Sequence, residues 1–508
     1  MRTKLFHFNH RLFKIIFYLF FAPTLFFALT SVNLILGDNH ITKIGTTGFT
    51  TGFLLIVIAL GIIIYDSKKV RHFFYWLFIT HKRQTAVISF VLAILLQIGF
   101  ILLIHPGIGF DVSGVHEGLL KPNDVNIVGY FSVNPNNLGI FLMQHWFAQL
   151  FKQNSWLFFE FVTLFLVDIS ALFNLGSIAI IDKTRLPLAL YIHAMWFITF
   201  PAIIVPYTDT WVIPFVSAYL FCYCLISQTH FPRLVKLLAM IVFGIAVSSS
   251  YFIKPSAIIP AIAIIIIELV QLLNKQRRHW LWLLLLTLTL AVSTAGSYVS
   301  INHTIKNQSY VRVYYFRAKP MIHFINMGLS GDGGYNAKDS FKMVTLIHRQ
   351  DRIDYSVNSI KKRLHKMGPA GYLAFLWRKH GNNTSDGTFA WLRDGDFVPL
   401  KYSPSGHGFK RKVENFVYLY GNNVGDLRFI VQIWWCIWLA LIFFGWQDNR
   451  KIVQVLRLAL VGGFIFLLIF EGGRSRYLIQ FLPAFLILAV LNFAATRQKL
   501  KDLFAWVH

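Results

Sequence analysis

The sequence predicts an all-α polytopic membrane protein of about twelve transmembrane helices, and three observations support this prediction. Hydrophobic residues make up 56% of the 508 positions and charged residues only 14%, whereas an ordinary soluble domain is about a quarter charged. The apolar residues lie in stretches of about 17–25, the length that a helix needs to cross a bilayer. Basic residues are concentrated in short segments beside these stretches. A water-soluble core has no room for this much apolar surface.

Each apolar stretch of sufficient length predicts one membrane-spanning helix. The predicted spans are 12–36, 47–66, 86–105, 156–181, 187–205, 211–227, 236–253, 255–273, 280–300, 427–446, 453–470 and 477–494. The chain therefore divides into three parts. Residues 1–300 form a first membrane part that includes a long loop at 106–155. Residues 301–426 form a domain outside the membrane, and residues 427–508 form a second membrane part with a cytoplasmic tail.

The distribution of Lys and Arg sets the predicted orientation, since short cytoplasmic loops are rich in these residues. With a cytoplasmic N-terminus, basic pairs such as Lys68-Lys69 and Arg277-Arg278, together with Lys275, fall in the cytoplasm. The short outer segments then hold few basic residues: Lys43, Lys121, Lys152, Lys254, Arg474 and Arg476. We therefore expect a cell-membrane protein with both termini in the cytoplasm and the loop 301–426 outside it.

The first long outer loop contains a stretch with two unlike faces. Gln144, His145, Gln149 and Lys152 fall on one side at helical spacing, and apolar residues fill the other side. This pattern predicts a helix that lies in the plane of the membrane interface.

The second long outer segment, 301–426, is polar and shows no alternation of the kind that predicts strands. Turn-forming residues are concentrated at 331–336. We expect a mainly helical extracytoplasmic domain in this segment.

Charge and cysteine content exclude several classes of protein. A net charge of +26 indicates nucleic-acid binding in a soluble protein. Here the positive charges flank membrane spans, so the expected partner is the lipid bilayer and not a nucleic acid. Cys222, Cys224 and Cys436 all lie within apolar stretches, so neither a disulfide framework nor a zinc site is expected, and no metal ligands are assigned.

Polar residues close to the predicted outer face are candidates for a functional site. Asp111 follows the third span, where a carboxylate can act as a general base; a solvated loop acid is the simpler interpretation of its spacing. Tyr207 and Asp209 lie in a short link between two spans. There Asp209 either caps the next helix or belongs to a site.

Three cations and one acid lie on two further short outer turns. Lys254 joins two spans with almost no loop, where it either extends along the interface or binds a lipid phosphate. Glu471, Arg474 and Arg476 lie on a glycine-containing turn. They either tie that turn together as an acid–arginine pair or form a phosphate clamp, since the guanidinium fork suits phosphate oxygens.

Carboxylates inside predicted spans are expensive, so each is also a hypothesis about a site. Glu160 and Asp168 lie eight positions apart on roughly one face of the same span. Packing against polar neighbours is the first interpretation, and an ion or proton path is the second. His193, in the next span, is interpreted as a core histidine.

The candidate residues are all predicted to reach the same outer face. Asp111, Asp209 and three basic side chains, Lys254, Arg474 and Arg476, lie in separate segments of the sequence, yet each is at the outer end of a span. Acids and phosphate-binding cations at one interface are what a transferase that uses a membrane-anchored phosphosugar requires.

The order of these motifs resembles the GT-C class of integral-membrane glycosyltransferases. The motifs are Gly-Phe-Asp111, Asn134-Pro-Asn-Asn-Leu-Gly139, Tyr207-Thr-Asp-Thr210, Lys254-Pro-Ser256 and Glu471-Gly-Gly-Arg-Ser-Arg476-Tyr-Leu. The likeness extends over residues 86–494 and is greatest to the bacterial branch of mannosyltransferase-like and aminoarabinose-transferase-like proteins. Two additional spans precede the one that leads to Asp111, and Asp111 lacks the adjacent second acid of many relatives.

The resemblance implies a polyprenyl-phosphate-linked sugar as donor and a cell-envelope acceptor, which would be a glycopolymer, lipid or protein. Asp111 would be the catalytic base or would position the acceptor. Lys254, Arg474 and Arg476, with Glu471, Tyr207 and Asp209, would bind the donor. No cofactor follows with certainty, and a divalent cation is left open because metal dependence varies within the class.

We therefore expect a membrane glycosyltransferase that acts at the outer face. The alternative is a multi-pass transporter or a flippase for lipid or polysaccharide, for which twelve helices are also suitable. Against the alternative, the sequence lacks matching halves, and its polar residues gather at one face.

Overall fold

The computed structural model describes residues 2–37, 45–272, 280–389 and 404–504. Three of the basic residues used above to predict orientation, Lys275, Arg277 and Arg278, lie outside the described residues, as does Lys43. Within the described part, the regular structure is helical and no β-strand occurs.

The helices follow one another in three groups. The first group is α1 (Arg2–Leu29), α2 (Gly48–Asp66), α3 (Lys68–Tyr75), α4 (Lys82–Leu103), α5 (Phe110–Leu120), α6 (Val125–Val133) and α7 (Leu138–Phe151). The second is α8 (Trp156–Asp182), α9 (Leu186–Thr199), α10 (Thr208–Trp211), α11 (Ile213–Ser227), α12 (Arg233–Ile253), α13 (Ile259–Leu272) and α14 (Trp280–Asn307). The third is α15 (Met321–Gly328), α16 (Ala337–Thr345), α17 (Arg349–Thr384), α18 (Gly408–Val417), α19 (Val424–Phe443), α20 (Lys451–Ile469) and α21 (Leu482–Phe504).

Among the described residues, 11 helical stretches are long and apolar enough to cross a membrane. One of them, Trp156–Thr199, is 44 residues long and contains both α8 and α9. Every predicted span therefore has a helical counterpart. The predicted all-α polytopic membrane fold is confirmed.

The spanning helices pack around α21. Helix α21 contacts α8, α9, α11, α19 and α20, and its residues from Leu482 to Leu491 are almost completely buried. By contrast, α2 and α14 are apolar on all sides and mostly exposed, which is typical of helices that face lipid. The connections 104–155, 200–207 and 470–481 and residues 308–367 lie at one end of the bundle, called here the loop-rich end. They are joined there by hydrogen bonds from Lys319 N–H to the Val133 carbonyl, from Gln144 to the Pro206 carbonyl and from Gly472 N–H to the Gly333 carbonyl.

Helix α7 confirms the helical part of the prediction for the first long loop, but its faces differ from those expected. Gln144 is buried, and its Nε2 donates to the Pro206 carbonyl over 2.7 Å. Gln149 and Lys152 are exposed as predicted, but Trp146, Leu150 and Phe151 are exposed beside them. Gln144 therefore holds α7 against the core, and the exposed side of the helix is mixed and not polar.

The segment 301–426 is helical in its described part, and one portion of it lies inside the bundle. Helix α17 breaks at Gly368, where φ is 61°, because Pro369 removes a backbone donor and glycine tolerates the left-handed conformation. After the break, α17 packs against α1 and α20. His380 Nε2 lies 2.9 Å from Thr24 Oγ1 of α1. This half of α17 is therefore part of the core.

Lys379, on the buried half of α17, joins three chain segments. The side chain is almost fully buried. Its Nζ donates to the carbonyls of Gly328, Leu468 and Phe470 over 2.6, 3.1 and 2.7 Å. The Leu468 and Phe470 carbonyls lie at the end of α20, where the last carbonyls of a helix have no donor within the helix. The lysine therefore satisfies the end of α20.

Lys379→Met is expected to lower the stability of the protein by about 3 kcal/mol or more, because three buried carbonyls lose their donor. The measurement is thermal unfolding in detergent micelles. Lys362→Met, at an exposed position on the first half of α17, is the matched control and should leave the midpoint unchanged. Equal midpoints for the two variants would show that Lys379 does not anchor the segment.

Candidate functional site

Two cations from distant parts of the sequence meet on one carboxylate at the loop-rich end. Lys254 Nζ pairs with Asp209 Oδ1, and Arg476 Nε lies 3.9 Å from Asp209 Oδ2. Only 12%, 15% and 7% of the Lys254, Arg476 and Asp209 side chains is exposed. We call Lys254, Asp209, Arg476 and Tyr477 the cation cluster. Two positive charges share one negative charge there, and the remaining positive charge favours an anionic ligand.

The charged members of the cluster, Lys254, Asp209 and Arg476, lie at helix ends, and the local sequence explains these positions. Pro255 disfavours helical backbone at the preceding residue, so α12 ends before Lys254, which is extended with φ −153° and ψ 102°. Asp209 lies in the first turn of the short α10. Arg476 lies in a 3-10 segment, Ser475–Phe481, that leads into α21. The three charged side chains are therefore held by short turns and not by long loops.

The ring of Tyr477 contacts both cations of the cluster. Lys254 Nζ lies 4.9 Å and Arg476 Cζ 5.1 Å from the ring centroid, which is cation–π distance. The Tyr477 hydroxyl donates to Glu471 Oε1 over 2.9 Å. Glu471 therefore orients Tyr477, and through this ring it influences the position of the two cations.

The turn that carries Glu471 and the arginines is held tightly in place. Gly473 has φ +72°, and a Cβ at this position would lie 2.7 Å from the Asp332 carbonyl oxygen. Its N–H donates to Asn383 Oδ1 over 2.6 Å. A hydrogen bond of 2.7 Å from Ser256 Oγ to Gln480 Oε1 joins this region to the turn of Lys254. Only glycine fits at position 473 without displacing the neighbouring backbone.

Asp111 is connected to the cation cluster by a chain of polar side chains. The Tyr207 hydroxyl donates to Asn137 Oδ1 over 3.4 Å, and Asn137 Nδ2 donates to the Tyr130 hydroxyl over 2.5 Å. The Tyr130 hydroxyl in turn donates to the Asp111 main-chain carbonyl over 3.4 Å and lies close to the Asp111 carboxylate. We call these four residues the Asp111 chain. Tyr207 is two positions from Asp209, so the chain ends beside the cluster.

The pKa of Tyr207 shows that the two groups share one electrostatic environment. Burial raises the pKa of Tyr207; the Asp111 carboxylate raises it further, the Arg476 guanidinium lowers it, and Asp209 adds to the increase. Burial is also the main cause that raises the pKa of Tyr130, followed by the charge of Asp111. Both phenols therefore remain protonated and available as hydrogen-bond donors.

The backbone immediately before Asp111 is in an unusual conformation. Phe110 has φ 54°, which is the left-handed region that residues with a Cβ rarely adopt. Its side chain is 57% exposed. Such a conformation costs on the order of 1 kcal/mol or more and is concentrated at functional sites. Here it starts α5 and sets the direction of Asp111 in the first turn.

Lys319 is a further cation beside Asp111. Its Nζ donates to Asn134 Oδ1 over 3.1 Å, and its N–H donates to the Val133 carbonyl over 3.1 Å. Burial lowers the pKa of Lys319, and the carboxylates of Asp111 and Glu471 oppose that change. Lys319 therefore lies between the two acids and brings the segment 301–426 to the site.

The structure brings most of the residues selected from the sequence together. Lys254, Asp209 and Arg476 are in direct contact, Glu471 reaches them through Tyr477, and Tyr207 joins them to Asp111. Arg474 lies on the same turn, two positions before Arg476, and is half-buried.

Four contributors to the site, Asn137, Tyr477, Tyr130 and Lys319, were not among the residues selected from the sequence. Asn137 and Tyr477 belong to motifs that the resemblance quoted, so their motifs carried a signal. Tyr130 and Lys319 carried no signal in the sequence, because only the fold brings them close to Asp111.

The carboxylates of the site are engaged with other side chains. Within the described ranges, no group of three or more His, Cys, Asp or Glu side chains is placed to hold a metal ion. Asp209 is bound to cations, and Asp111 contacts a phenol.

The fold and the site define a polytopic integral membrane protein with a charged centre at the ends of its helices. The family described as "Conserved hypothetical integral membrane protein" matches residues 5–497. The chain belongs to this family. Neither a curated protein nor a solved structure matches the chain significantly.

Proposed function

We propose that the protein is a membrane glycosyltransferase that moves a sugar from a polyprenyl-phosphate donor to a cell-envelope acceptor at the outer face. The observation that carries the proposal is the convergence of Lys254 and Arg476 on Asp209 at helix ends, where a lipid phosphate would lie. Shielding of these side chains strengthens an arginine–phosphate contact relative to one in water. The resemblance to GT-C enzymes supports the same assignment.

In the proposed reaction, Asp111 accepts the proton of an acceptor hydroxyl as its oxygen forms a bond to the anomeric carbon of the donor sugar. The bond between this carbon and the phosphate oxygen breaks, and the lipid phosphate leaves with the electron pair. Lys254 and Arg476 stabilise the negative charge that develops on the phosphate. Tyr130 holds the backbone at Asp111 in position through the hydrogen bond from its hydroxyl to the Asp111 carbonyl.

Purified protein in liposomes tests the proposal directly. A polyprenyl phosphate that carries a radiolabelled sugar is supplied with a membrane extract as the source of acceptors. The expected result is label in the acceptor fraction and release of free polyprenyl phosphate. Movement of the labelled lipid between leaflets without any cleavage of the sugar–phosphate bond would contradict the proposal.

The proposed site requires the loop-rich end to be outside the cytoplasm. Asn358→Cys, at an exposed position in α17, should react with an impermeant thiol reagent on intact cells. Lys69→Cys, exposed at the start of α3, should react only after permeabilisation. Ser356→Cys, at a fully buried position, is the control for non-specific labelling. The opposite labelling pattern would place the site in the cytoplasm.

A second candidate function, transport or lipid flipping, is favoured by one observation within α8. Glu160 is fully buried in this membrane-spanning helix, and neither carboxyl oxygen has a hydrogen-bond partner among the described residues. Such a group is expensive in a membrane unless it is protonated or serves an ion path. In a transporter, Glu160→Gln should abolish ion coupling. In the proposed transferase, the same change should leave sugar transfer close to wild type.

A further inference from the structure

A cavity of about 360 Å³ lies at the loop-rich end, between the end of α1 and the buried half of α17. One wall is formed by Phe27 to Val32, a second by Gly331 and Asp332, and a third by residues from Phe375 to Ser385. The volume is within the usual range for small-molecule sites, about 300–1,000 Å³. The cavity is separate from the residues of the cation cluster and the Asp111 chain.

The lining combines hydrogen-bond donors with acceptors. Arg378 and the hydroxyl of Ser385 can donate, and the Asp332 carboxylate can accept; within the described ranges no side-chain hydrogen bond occupies these groups. Asn382 Nδ2 donates to the Asp332 carbonyl over 3.2 Å, which leaves the Asn382 Oδ1 as an acceptor. Ser31 Oγ accepts the Asn33 N–H over 3.3 Å, which leaves its proton for a further bond.

Two aromatic rings, Phe27 and Phe375, form the apolar part of the lining. The Phe27 ring is fixed by the Trp377 ring, whose centroid lies 4.9 Å away. Flat apolar surface beside interspersed donors and acceptors suits a ligand that has C–H faces and several hydroxyls. Lys379 also lines the cavity, but its Nζ already donates to three carbonyls. The Arg378 guanidinium and the Asp332 carboxylate then balance each other, so the lining offers a phosphate no surplus of positive charge.

The cavity shares its framework with the turn that carries the arginines of the site. Ser475, between Arg474 and Arg476, donates through its hydroxyl to the Asn382 carbonyl over 3.4 Å. The same hydroxyl oxygen accepts the Asp386 N–H over 3.3 Å. Asn382, which lines the cavity, is therefore one hydrogen bond away from the turn that carries Arg474 and Arg476.

We infer that this cavity binds a neutral sugar unit of the acceptor, and this assignment rests on the proposed function. A sugar held against Phe27 and Phe375, with hydroxyls on Arg378, Asp332 and Asn382, would anchor an acceptor glycan beside the turn of the cation cluster. The chain would then recognise a carbohydrate acceptor at a point away from the reacting hydroxyl.

Protection from thiol labelling tests the cavity directly. Thr30→Cys places a thiol at an exposed position of the lining. The native Cys222 and Cys224 are buried, and the half-buried Cys436 is replaced by serine in every chain that is labelled. The probes are glucose, galactose, rhamnose and N-acetylglucosamine, with glycerol 3-phosphate as an anionic probe. A sugar at four times its dissociation constant should slow labelling about fivefold. Arg378→Ala or Asn382→Ala in the same chain should remove the protection. Arg349→Ala, exposed elsewhere on α17, should retain it.

Each outcome decides between alternatives. Protection by a neutral sugar that is lost with Arg378→Ala, while labelling without sugar is unchanged, supports the cavity as a sugar site. Stronger protection by glycerol 3-phosphate overturns the carbohydrate assignment in favour of an anion. Absence of protection by all five probes overturns the binding site. Protection without any transfer of sugar from a polyprenyl phosphate would overturn the proposed function and leave the sugar site supported.

Discussion

Asp111→Asn is expected to reduce sugar transfer by about 10²–10⁴-fold, the usual contribution of a general base. Asparagine retains the size of the side chain and leaves the hydrogen bond from Tyr130 to the main-chain carbonyl in place, but it cannot accept the proton of the acceptor hydroxyl. Donor binding should remain close to wild type, because Lys254 and Arg476 are unchanged. The measurement is the initial rate of transfer in liposomes, together with direct binding of the labelled donor.

A matched control for Asp111→Asn lies on the same helix. Glu117→Gln removes an exposed carboxylate of α5 that bonds only locally to Ser113 over 2.9 Å, and it should leave transfer unchanged. Tyr130→Phe removes the hydroxyl that contacts Asp111, so it should lower transfer less and alter the pH profile of the rate. An Asp111→Asn variant with wild-type activity would make Asp111 a solvated loop acid.

Arg476→Ala is expected to reduce use of the donor by about 10²–10³-fold, because one preorganised cation no longer faces the leaving phosphate. Asp209 would still pair with Lys254, so the fold should be retained. Arg476→Lys should give an intermediate loss, since an ammonium keeps the charge but not the fork. At Arg474, too, we expect the alanine variant to use the donor less well than the lysine variant. The measurement is the rate of transfer as a function of donor concentration.

The control for the arginine variants is Arg312→Ala, at an exposed position of the loop-rich end. This variant lowers the net charge equally and should leave donor use unchanged. If Arg476→Ala and Arg312→Ala behave alike, the cation cluster has only a general electrostatic role. If Lys254→Ala has no effect while Arg476→Ala does, the two cations do not act on one phosphate.

The sequence predicted the membrane helices well because hydrophobicity and length determine them directly. It also predicted that Lys254, Asp209 and Arg476 share one end of the bundle, since each follows from the position of a span. Their direct contact was beyond the sequence, because it depends on how α10, α12 and α21 are arranged. Tyr130 and Lys319 were missed for the same reason: neither residue is unusual until the fold places it beside Asp111.

The packing of the helices corrected one prediction from the sequence and refined another. The helical spacing of Gln144 with His145 and Gln149 predicted a polar face, but hydrogen-bond demand at the Pro206 carbonyl draws Gln144 inward. The polarity of 301–426 predicted a domain outside the membrane. Polarity alone does not reveal that residues after Gly368 pack among the membrane helices through Lys379 and His380.

The break at Gly368 divides α17 into halves that should tolerate change in different ways. Before it, an added residue rotates an exposed helix and is absorbed at the surface. After it, the same insertion turns Lys379 away from the carbonyls at the end of α20 and moves Asn383 away from the turn at Gly473. Variation in length is therefore permitted on one side of a single glycine and excluded on the other. The polar segment 301–426 cannot be removed from this chain as a unit, because the half of α17 after Gly368 packs among the spanning helices.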